Sequence, residues 1–180
     1  MLFAKIFTLG LVALGSAIPV PVKRDFADIQ NGFTQIDATL TSINTKVVAY
    51  TGSLGESLSL YSDITTLQTL LKGTTQDVID NGALTAAQSA TLSTAGESTV
   101  SLLETVLANV IIKIDVIRNS GYFDLFFDLL AGVKEDVDAL FAALANVVDP
   151  SYADQFAALH ERVNVAYQAV LDAANPPSKL

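Results

Sequence analysis

Apolar residues recur along this chain at intervals of three and four positions, the spacing that is typical of amphipathic α-helices. The first and clearest stripe comprises Phe26, Ile29, Phe33, Ile36, Leu40, Ile43, Val47 and Tyr50. A second, leucine-rich stripe begins after Thr51-Gly52 and stops at Asn81-Gly82, a pair typical of a helix C-terminus. No segment alternates β-branched and polar residues as a half-buried strand would. The pattern therefore predicts helices throughout.

Turn and capping signals divide the second half of the chain into three more helices. The segment Thr85–Gln88 has the form of a capping box and opens the third helix, which Asn119–Gly121 ends. The fourth helix is predicted over residues 122–148, and the fifth begins where Asp149 precedes Pro150. We therefore predict an all-α fold, a five-helix up-and-down bundle that forms a single domain.

The N-terminus has the features of a secretory signal peptide over residues 1–17. Lys5 supplies a short basic region, residues 6–14 form an apolar run, and Ala17 ends a stretch of small residues suited to cleavage. The apolar run is too short to cross a bilayer, so no transmembrane segment is predicted. We expect a secreted protein.

A dibasic pair, Lys23 and Arg24, stands between the signal peptide and the first helix, after two prolines that favour an extended backbone. The pair is typical of a processing site for a kexin-type protease; the alternative is two solvated charges in a linker. Processing here would make residues 18–24 a short propeptide, residues 25–175 the working domain and residues 176–180 a C-terminal tail.

Charge and composition exclude several classes of function. The chain has 10 basic and 19 acidic residues, and without residues 1–24 it keeps 7 basic residues and a net charge of −12. Nucleic acids and anionic membrane surfaces are poor partners for such a protein. There is no cysteine, and His160, the only histidine, is expected on the solvated side of the fifth helix. The usual zinc and haem ligand sets are therefore missing, and no metal or cofactor is expected. Motifs of nucleophilic or phosphate-binding sites are also missing, so we predict that the protein is not an enzyme.

The start of the fourth helix, GYFDLFFDLLAG at residues 121–132, is apolar on almost every side. Farther along the same helix, Asp136 and Asp138 are expected to face solvent. Small Ser, Thr, Ala and Gly side chains dominate residues 34–105, whereas Phe and Leu concentrate in the fourth helix. Such uneven layers either interdigitate fully or leave an apolar cavity that binds apolar ligands. Composition leaves both alternatives open.

The segment after the dibasic pair, DFADIQNGFTQIDATLTSINTKVVAY, and the Thr-Ala-Ala-Gln helix start carry a resemblance to a known family. Together with the leader and the acidic, cysteine-free chain, they resemble the fungal hydrophobic surface-binding protein A family, which includes cell-wall galactomannoproteins. The resemblance covers about residues 25–174. It implies a secreted or wall-associated helical protein, with members that enclose long-chain fatty acids such as arachidonic acid or that adsorb to hydrophobic solids and recruit esterases.

Three hypotheses follow from the resemblance and the pattern together. The first is a carrier that holds a fatty acid in an apolar interior and sequesters host lipids. The second is an adhesin that presents residues 122–130 to a hydrophobic solid surface or a secreted esterase. The third is a structural wall mannoprotein or antigen with an ordinary core. For the first, the predicted cavity lining is Phe33, Ile36, Leu40, Leu67, Leu71, Leu103, Leu107, Ile111, Phe123, Phe126, Phe127, Leu130, Phe141 and Leu144.

Overall fold

A computed structural model describes residues 25–175, and this part of the chain is almost entirely helical. The helices are α1 (Phe26–Ala49), α2 (Leu54–Asn81), α3 (Ala86–Ile112), α4 (Ile114–Asn119), α5 (Phe123–Val147) and α6 (Ala153–Ala174), with a 3-10 turn at Pro150–Tyr152. The predicted all-α class is therefore confirmed. The predicted signal peptide, propeptide and tail, with Ala17, Lys23 and Arg24, lie outside the described residues.

Capping residues explain where the long helices begin. At the start of α3, the Thr85 side chain accepts from the backbone N–H of Gln88, and the Gln88 side chain accepts from the backbone N–H of Thr85. This reciprocal arrangement is the predicted capping box. Ser53 and Glu56 form a second one at α2, where the backbone N–H groups of Ser53 and Thr51 both donate to the Glu56 carboxylate. These backbone hydrogen bonds lower the pKa of Glu56 to about 2.

The five long helices form a ring around one apolar core. Helix α1 packs against both α2 and α3, α2 packs against α5, and α3 packs against α6. Helices α5 and α6 then close the ring, but they pack against each other much more sparsely than the other pairs do. The boundary between α5 and α6, the α5–α6 seam, is therefore the loosest part of the wall.

Two local differences separate the structure from the predicted five helices. The third helix was expected to continue to residue 118, but it ends at Lys113, where φ is −94° and ψ is 4°, and a short helix α4 follows. The Lys113 ammonium donates to the carbonyl of Tyr50, so this break ties the ends of α1 and α3 together. The fifth helix has Asp149 as its cap, as predicted, but its first turn is 3-10 before α6 begins.

Small residues bring some helices unusually close. A Cβ added at Gly32 in α1 would lie 3.1 Å from Cβ of Thr74 in α2, and Thr74 is buried. Gly96 in α3 makes the equivalent approach to Leu159 in α6. Of the described helices, α3 is the one long and apolar enough by composition to cross a membrane. Its position between α1 and α6 accounts for this apolar composition, because α3 buries apolar side chains against both neighbours.

Candidate functional site

The interior of the ring contains two small voids of about 30 Å³ each. Such a volume is roughly that of one water molecule, whereas an engineered cavity that binds benzene measures ~150 Å³. The walls are predominantly apolar and include many of the predicted lining residues. Around one void these are Phe33, Leu71, Leu103, Phe141 and Leu144, and around the other Leu40, Leu67, Leu103, Leu107, Phe126 and Leu130.

The remaining predicted lining residues lie in other places. Ile36 is fully buried in the core, and Ile111 is half-buried near the end of α3. The rings of Phe123 and Phe127 pack 4.5 Å apart near the start of α5, with the guanidinium of Arg118 5.6 Å from the Phe123 centroid. The role of all fourteen residues in ligand binding stays a prediction.

A cleft of about 430 Å³ lies on the α5–α6 seam, and it is much larger than either interior void. Helix α5 supplies Phe127, Leu130, Ala131, Lys134 and Glu135 to it, and α6 supplies Asn164, Tyr167, Gln168 and Leu171. Leu130 and Tyr167 also line one of the interior voids. These two side chains therefore separate the outer cleft from the apolar interior.

Tyr167 is the most unusual polar group of this cleft. The residue is only 4% exposed, and its hydroxyl has no hydrogen-bond partner among residues 25–175. Burial, followed by the charges of Asp138 and Asp136, raises the pKa of the phenol. An unpartnered buried hydroxyl destabilises a folded protein by about 1–3 kcal/mol, so its presence needs an explanation. Tyr167 is not among the residues predicted from the sequence, since an aromatic residue on an apolar stripe gives no sign that its hydroxyl is unpaired.

A polar bridge crosses the seam beside this cleft. Nζ of Lys134 lies 2.6 Å from both carboxylate oxygens of Asp138, and Nε2 of His160 lies 2.7 Å from one of them. The His160 ring stacks on Phe141 with 4.9 Å between centroids. Burial raises the pKa of Asp138, but hydrogen bonds from His160 and Lys134 outweigh it and hold the pKa below its usual value.

The bridge corrects two expectations. His160 and Asp138 were expected to face solvent, but both are half-buried because each faces the neighbouring helix across the seam. Beyond the bridge, a second cleft of about 210 Å³ continues along the same seam past Phe141. The Lys134–Asp138–His160 bridge therefore divides the seam into two open stretches.

Helix α5 meets α2 in a different way. The two helices pack closely on each other, and the flexible amide end of the Gln68 side chain in α2 lies against Gly132 of α5. Asp136, which was expected to face solvent, is largely covered and lies 3.6 Å from Nζ of Lys72. Burial raises the pKa of Asp136, and the charge of Lys72 only partly offsets it.

An apolar patch is exposed on the outer surface of α2 and α5. Leu54, Leu58 and Tyr61 lie at helical spacing on α2, and Leu58 is 59% exposed. Leu125, 47% exposed, stands beside Tyr61 at a shallow pocket between the helices. Within residues 122–130, which were expected to form an apolar contact face, Leu125 is the large apolar side chain that is mostly exposed.

The described residues provide no metal-binding arrangement. No group of three or more His, Asp or Glu side chains in residues 25–175 is placed to hold a metal ion.

Arg162 is the centre of an ion-pair cluster, with Nη1 2.6 Å from Glu97 and Nη2 2.6 Å from Glu104. This cluster joins α3 to α6 and has the character of a structural contact.

Several solved structures share this fold. The crystal structure of Afmp4p in complex with palmitic acid matches with a TM-score of 0.81 at 20% identity, over 84% of this chain and 100% of that chain. Ligand binding domain 1 of the Penicillium marneffei MP1 protein, complexed with arachidonic acids, matches with a TM-score of 0.78 at 18% identity, over 84% and 99%. Domain 2 of the same protein, complexed with multiple arachidonic acids, gives 0.77 at 18% identity, over 86% and 99%.

No curated protein sequence matches this chain significantly. The model of one family does match, over residues 26–146, which contain α1 to α5. That range is more than half of the chain, and it agrees with the resemblance carried by the first helix and the third-helix start. The chain belongs to the hydrophobic surface binding protein A family.

Proposed function

We propose that this protein binds long-chain fatty acids, with the acyl chain inside the helical ring. One observation carries the proposal: the 430 Å³ cleft and an interior void share Leu130 and Tyr167 as a common wall. Movement of these side chains, together with some separation of α5 from α6, would join the two spaces into one apolar channel. The palmitic and arachidonic acids in the similar structures support the same class of ligand.

Binding requires that the ring open. Voids of about 30 Å³ hold no alkyl chain, so an acyl chain must separate helices as it enters. The sparse packing of α5 on α6 makes this seam the least costly place to open. Each buried methylene contributes about 0.8 kcal/mol, so an acyl chain of ordinary length offsets both the loss of freedom on association and the separation of the helices.

The direct test is lipid extraction from protein purified under native conditions, followed by mass spectrometry and by titration of the delipidated protein with palmitate and arachidonate. We expect co-purifying fatty acid and micromolar or tighter binding. Leu130→Gln places an amide between the cleft and the interior and should weaken binding roughly tenfold. Leu58→Gln makes the same change on the exposed face of α2 and serves as the matched control.

Two results would contradict the proposal. One is delipidated, folded protein that binds neither acid. The other is equal loss of binding in the Leu130 and Leu58 variants, since a site inside the ring cannot depend on a solvent-exposed residue of α2.

We also propose secretion, after removal of residues 1–24. The N-cap of α1 supports this boundary: Oδ1 of Asp25 accepts from the N–H of Ala27 and Asp28, and the N–H of Asp25 donates to Asp28. A chain that begins at Asp25 keeps this capping box complete. The N-terminal sequence of the secreted protein tests the proposal, with Arg24→Ala expected to leave the propeptide attached. A secreted protein that retains residues 18–24 would refute the second cleavage.

A second candidate function is adsorption to hydrophobic solids, with an esterase as a further partner. The exposed patch of Leu54, Leu58, Tyr61 and Leu125 favours it, because clustered apolar side chains on a surface mark contact sites. Phe126 and Phe127 are half-buried and do not belong to this patch, since Phe126 lines an interior void and Phe127 lines the seam cleft.

Adsorption to hydrophobic beads tests this second function. A Leu58→Ser/Leu125→Ser variant should adsorb several-fold less than the wild type while it keeps its helix content. Val165→Ser, which removes an equally exposed apolar side chain from α6, should adsorb normally. Wild-type adsorption by the double variant would contradict a role for the patch.

A further inference from the structure

We infer that the α5–α6 cleft is the binding site for the ligand's carboxylate, with Tyr167 donating a hydrogen bond and Lys134 supplying the positive charge. The inference rests on the proposed function, and it assigns the polar end of the ligand, for which the sequence pattern offered no residue. The acyl chain would then pass Leu130 into the interior.

The hydroxyl of Tyr167 is the first argument. It is buried, it has no hydrogen-bond partner in the described part of the chain, and its residue lines both the cleft and an interior void. Because its pKa is raised, the phenol keeps its proton and remains a hydrogen-bond donor at any physiological pH. A carboxylate oxygen is the acceptor that gains most from such a donor, since a charged acceptor roughly doubles the strength of the bond.

The position of Lys134 is the second argument. Its ammonium lies 5.9 Å from the centre of the Tyr167 ring, at the rim of the same cleft, and its side chain is about one quarter exposed. In the structure it pairs with Asp138, which has a second partner in His160. Lys134 can therefore turn toward an incoming carboxylate while His160 continues to hold Asp138. Asn164 and Gln168 also line the cleft, and the Gln168 amide donates one hydrogen bond to Asp172.

Other cations near the ring lie away from the cleft. Arg118 pairs with Asp115 and donates to the carbonyl of Ala174, Lys113 donates to the carbonyl of Tyr50, and Lys46 pairs with Asp63. None of these three cations lines the 430 Å³ cleft. In a strongly acidic protein, a carboxylate ligand needs a local positive charge, and Lys134 supplies it at this cleft.

The test compares palmitate with methyl palmitate, which has the same acyl chain and no charge, both delivered from cyclodextrin. The wild type should prefer the acid. Lys134→Met and Tyr167→Phe should each weaken palmitate binding about tenfold and methyl palmitate binding much less, because the ester carbonyl accepts only a weaker, uncharged hydrogen bond. Lys72→Met and Tyr61→Phe are the matched controls, because both residues belong to α2 and neither lines the cleft. Neither control should alter the binding of palmitate or of methyl palmitate.

The comparison separates this inference from the proposed function. A wild type that binds neither compound overturns both. If the wild type binds the compounds and the variants show the same ratio of palmitate affinity to methyl palmitate affinity, only the carboxylate site is overturned. If Lys134 or Tyr167 had only a structural role, its substitution would weaken the binding of both compounds equally. The Tyr167→Phe protein without ligand should unfold at the same or a higher temperature, because the change removes an unpartnered buried hydroxyl.

Discussion

Helix α5 meets its two neighbours in opposite ways. On one side, α5 packs closely on α2, and the amide of Gln68 lies against Gly132. On the other side, two clefts and the Lys134–Asp138–His160 bridge separate α5 from α6. One helix thus has a tight boundary and a loose one, and the difference lies in which side chains it presents to each neighbour.

The two aspartates show the same contrast in electrostatic terms. Asp136 and Asp138 are two positions apart on α5 and face different neighbours. Burial dominates at Asp136 and raises its pKa, whereas two hydrogen-bonding partners lower the pKa of Asp138. The carboxylate of Asp136, at the boundary with α2, is poorly compensated by its surroundings. The carboxylate of Asp138, at the boundary with α6, is well compensated by its hydrogen bonds. Polar contacts therefore hold the seam where apolar packing does not, and polar contacts can be exchanged for those of a ligand.

The largest expected difference comes from truncating leucines of α5. Leu144 is 1% exposed, so Leu144→Ala should lower the free energy of unfolding by about 2–5 kcal/mol. Leu130 is only half-buried beside the cleft, so Leu130→Ala should lower it by less than about 2 kcal/mol. Urea unfolding of both variants measures the difference. Equal losses would mean that the seam is as well packed as the core.

Adding volume to the two boundaries should have unequal effects of intermediate size. Ala143 is buried on α5 two turns after Asp136, which faces α2, so Ala143→Leu overfills the tight boundary and should destabilise the protein by about 1–3 kcal/mol. Ala145→Leu adds a larger side chain to the smaller cleft, where there is room, and should change stability by less than about 0.5 kcal/mol. Thermal unfolding of both variants gives the comparison. A tolerated leucine at position 143 would show that the α2 boundary is not tight.

The smallest expected effects, no more than about 1 kcal/mol each, come from neutralising the two aspartates, and they have opposite signs. The lowered pKa of Asp138 contributes stability at neutral pH that is lost as pH falls through that pKa. Asp138→Asn should therefore destabilise at pH 7 and have little effect in acid. The raised pKa of Asp136 means that its charge is unfavourable at neutral pH and is relieved as pH falls. Asp136→Asn should therefore stabilise at pH 7, with the gain vanishing in acid.

Unfolding of both asparagine variants across pH 2 to 7, against the wild type, tests these signs. The same sign for both variants at pH 7 would contradict the assignment of one satisfied and one unsatisfied carboxylate.

Helix periodicity was sufficient to predict most of the fold. Large apolar side chains at three- and four-residue spacing locate α1, α2, α5 and α6 within a few residues. The same signal failed at Ser89, Ser93 and Gly96, which belong to the buried face of α3 although none of them is a large apolar residue. It also missed the break at Lys113, where the side chain donates to the carbonyl of Tyr50 at the end of α1.

The candidate site was predictable only in part. Lining residues such as Leu40 and Leu107 follow from their periodicity, because any buried stripe must face the interior. The cleft itself cannot be predicted from periodicity, because it depends on how closely α5 and α6 approach in space. Neither the unpaired state of the Tyr167 hydroxyl nor the pairing of Asp138 with His160 has a local sequence signal. Both depend on how one helix packs against another.

The order of the helices along the chain has a consequence for how the protein is made. A chain leaving the ribosome presents α1, α2, α3 and α5 before α6, which follows them. During that interval the face of α3 around Gly96, which Leu159 and Phe156 later cover, has no partner. A chain that stopped near residue 146 would expose this face permanently and be prone to aggregation. The enclosed interior therefore exists only after α6 has been synthesised.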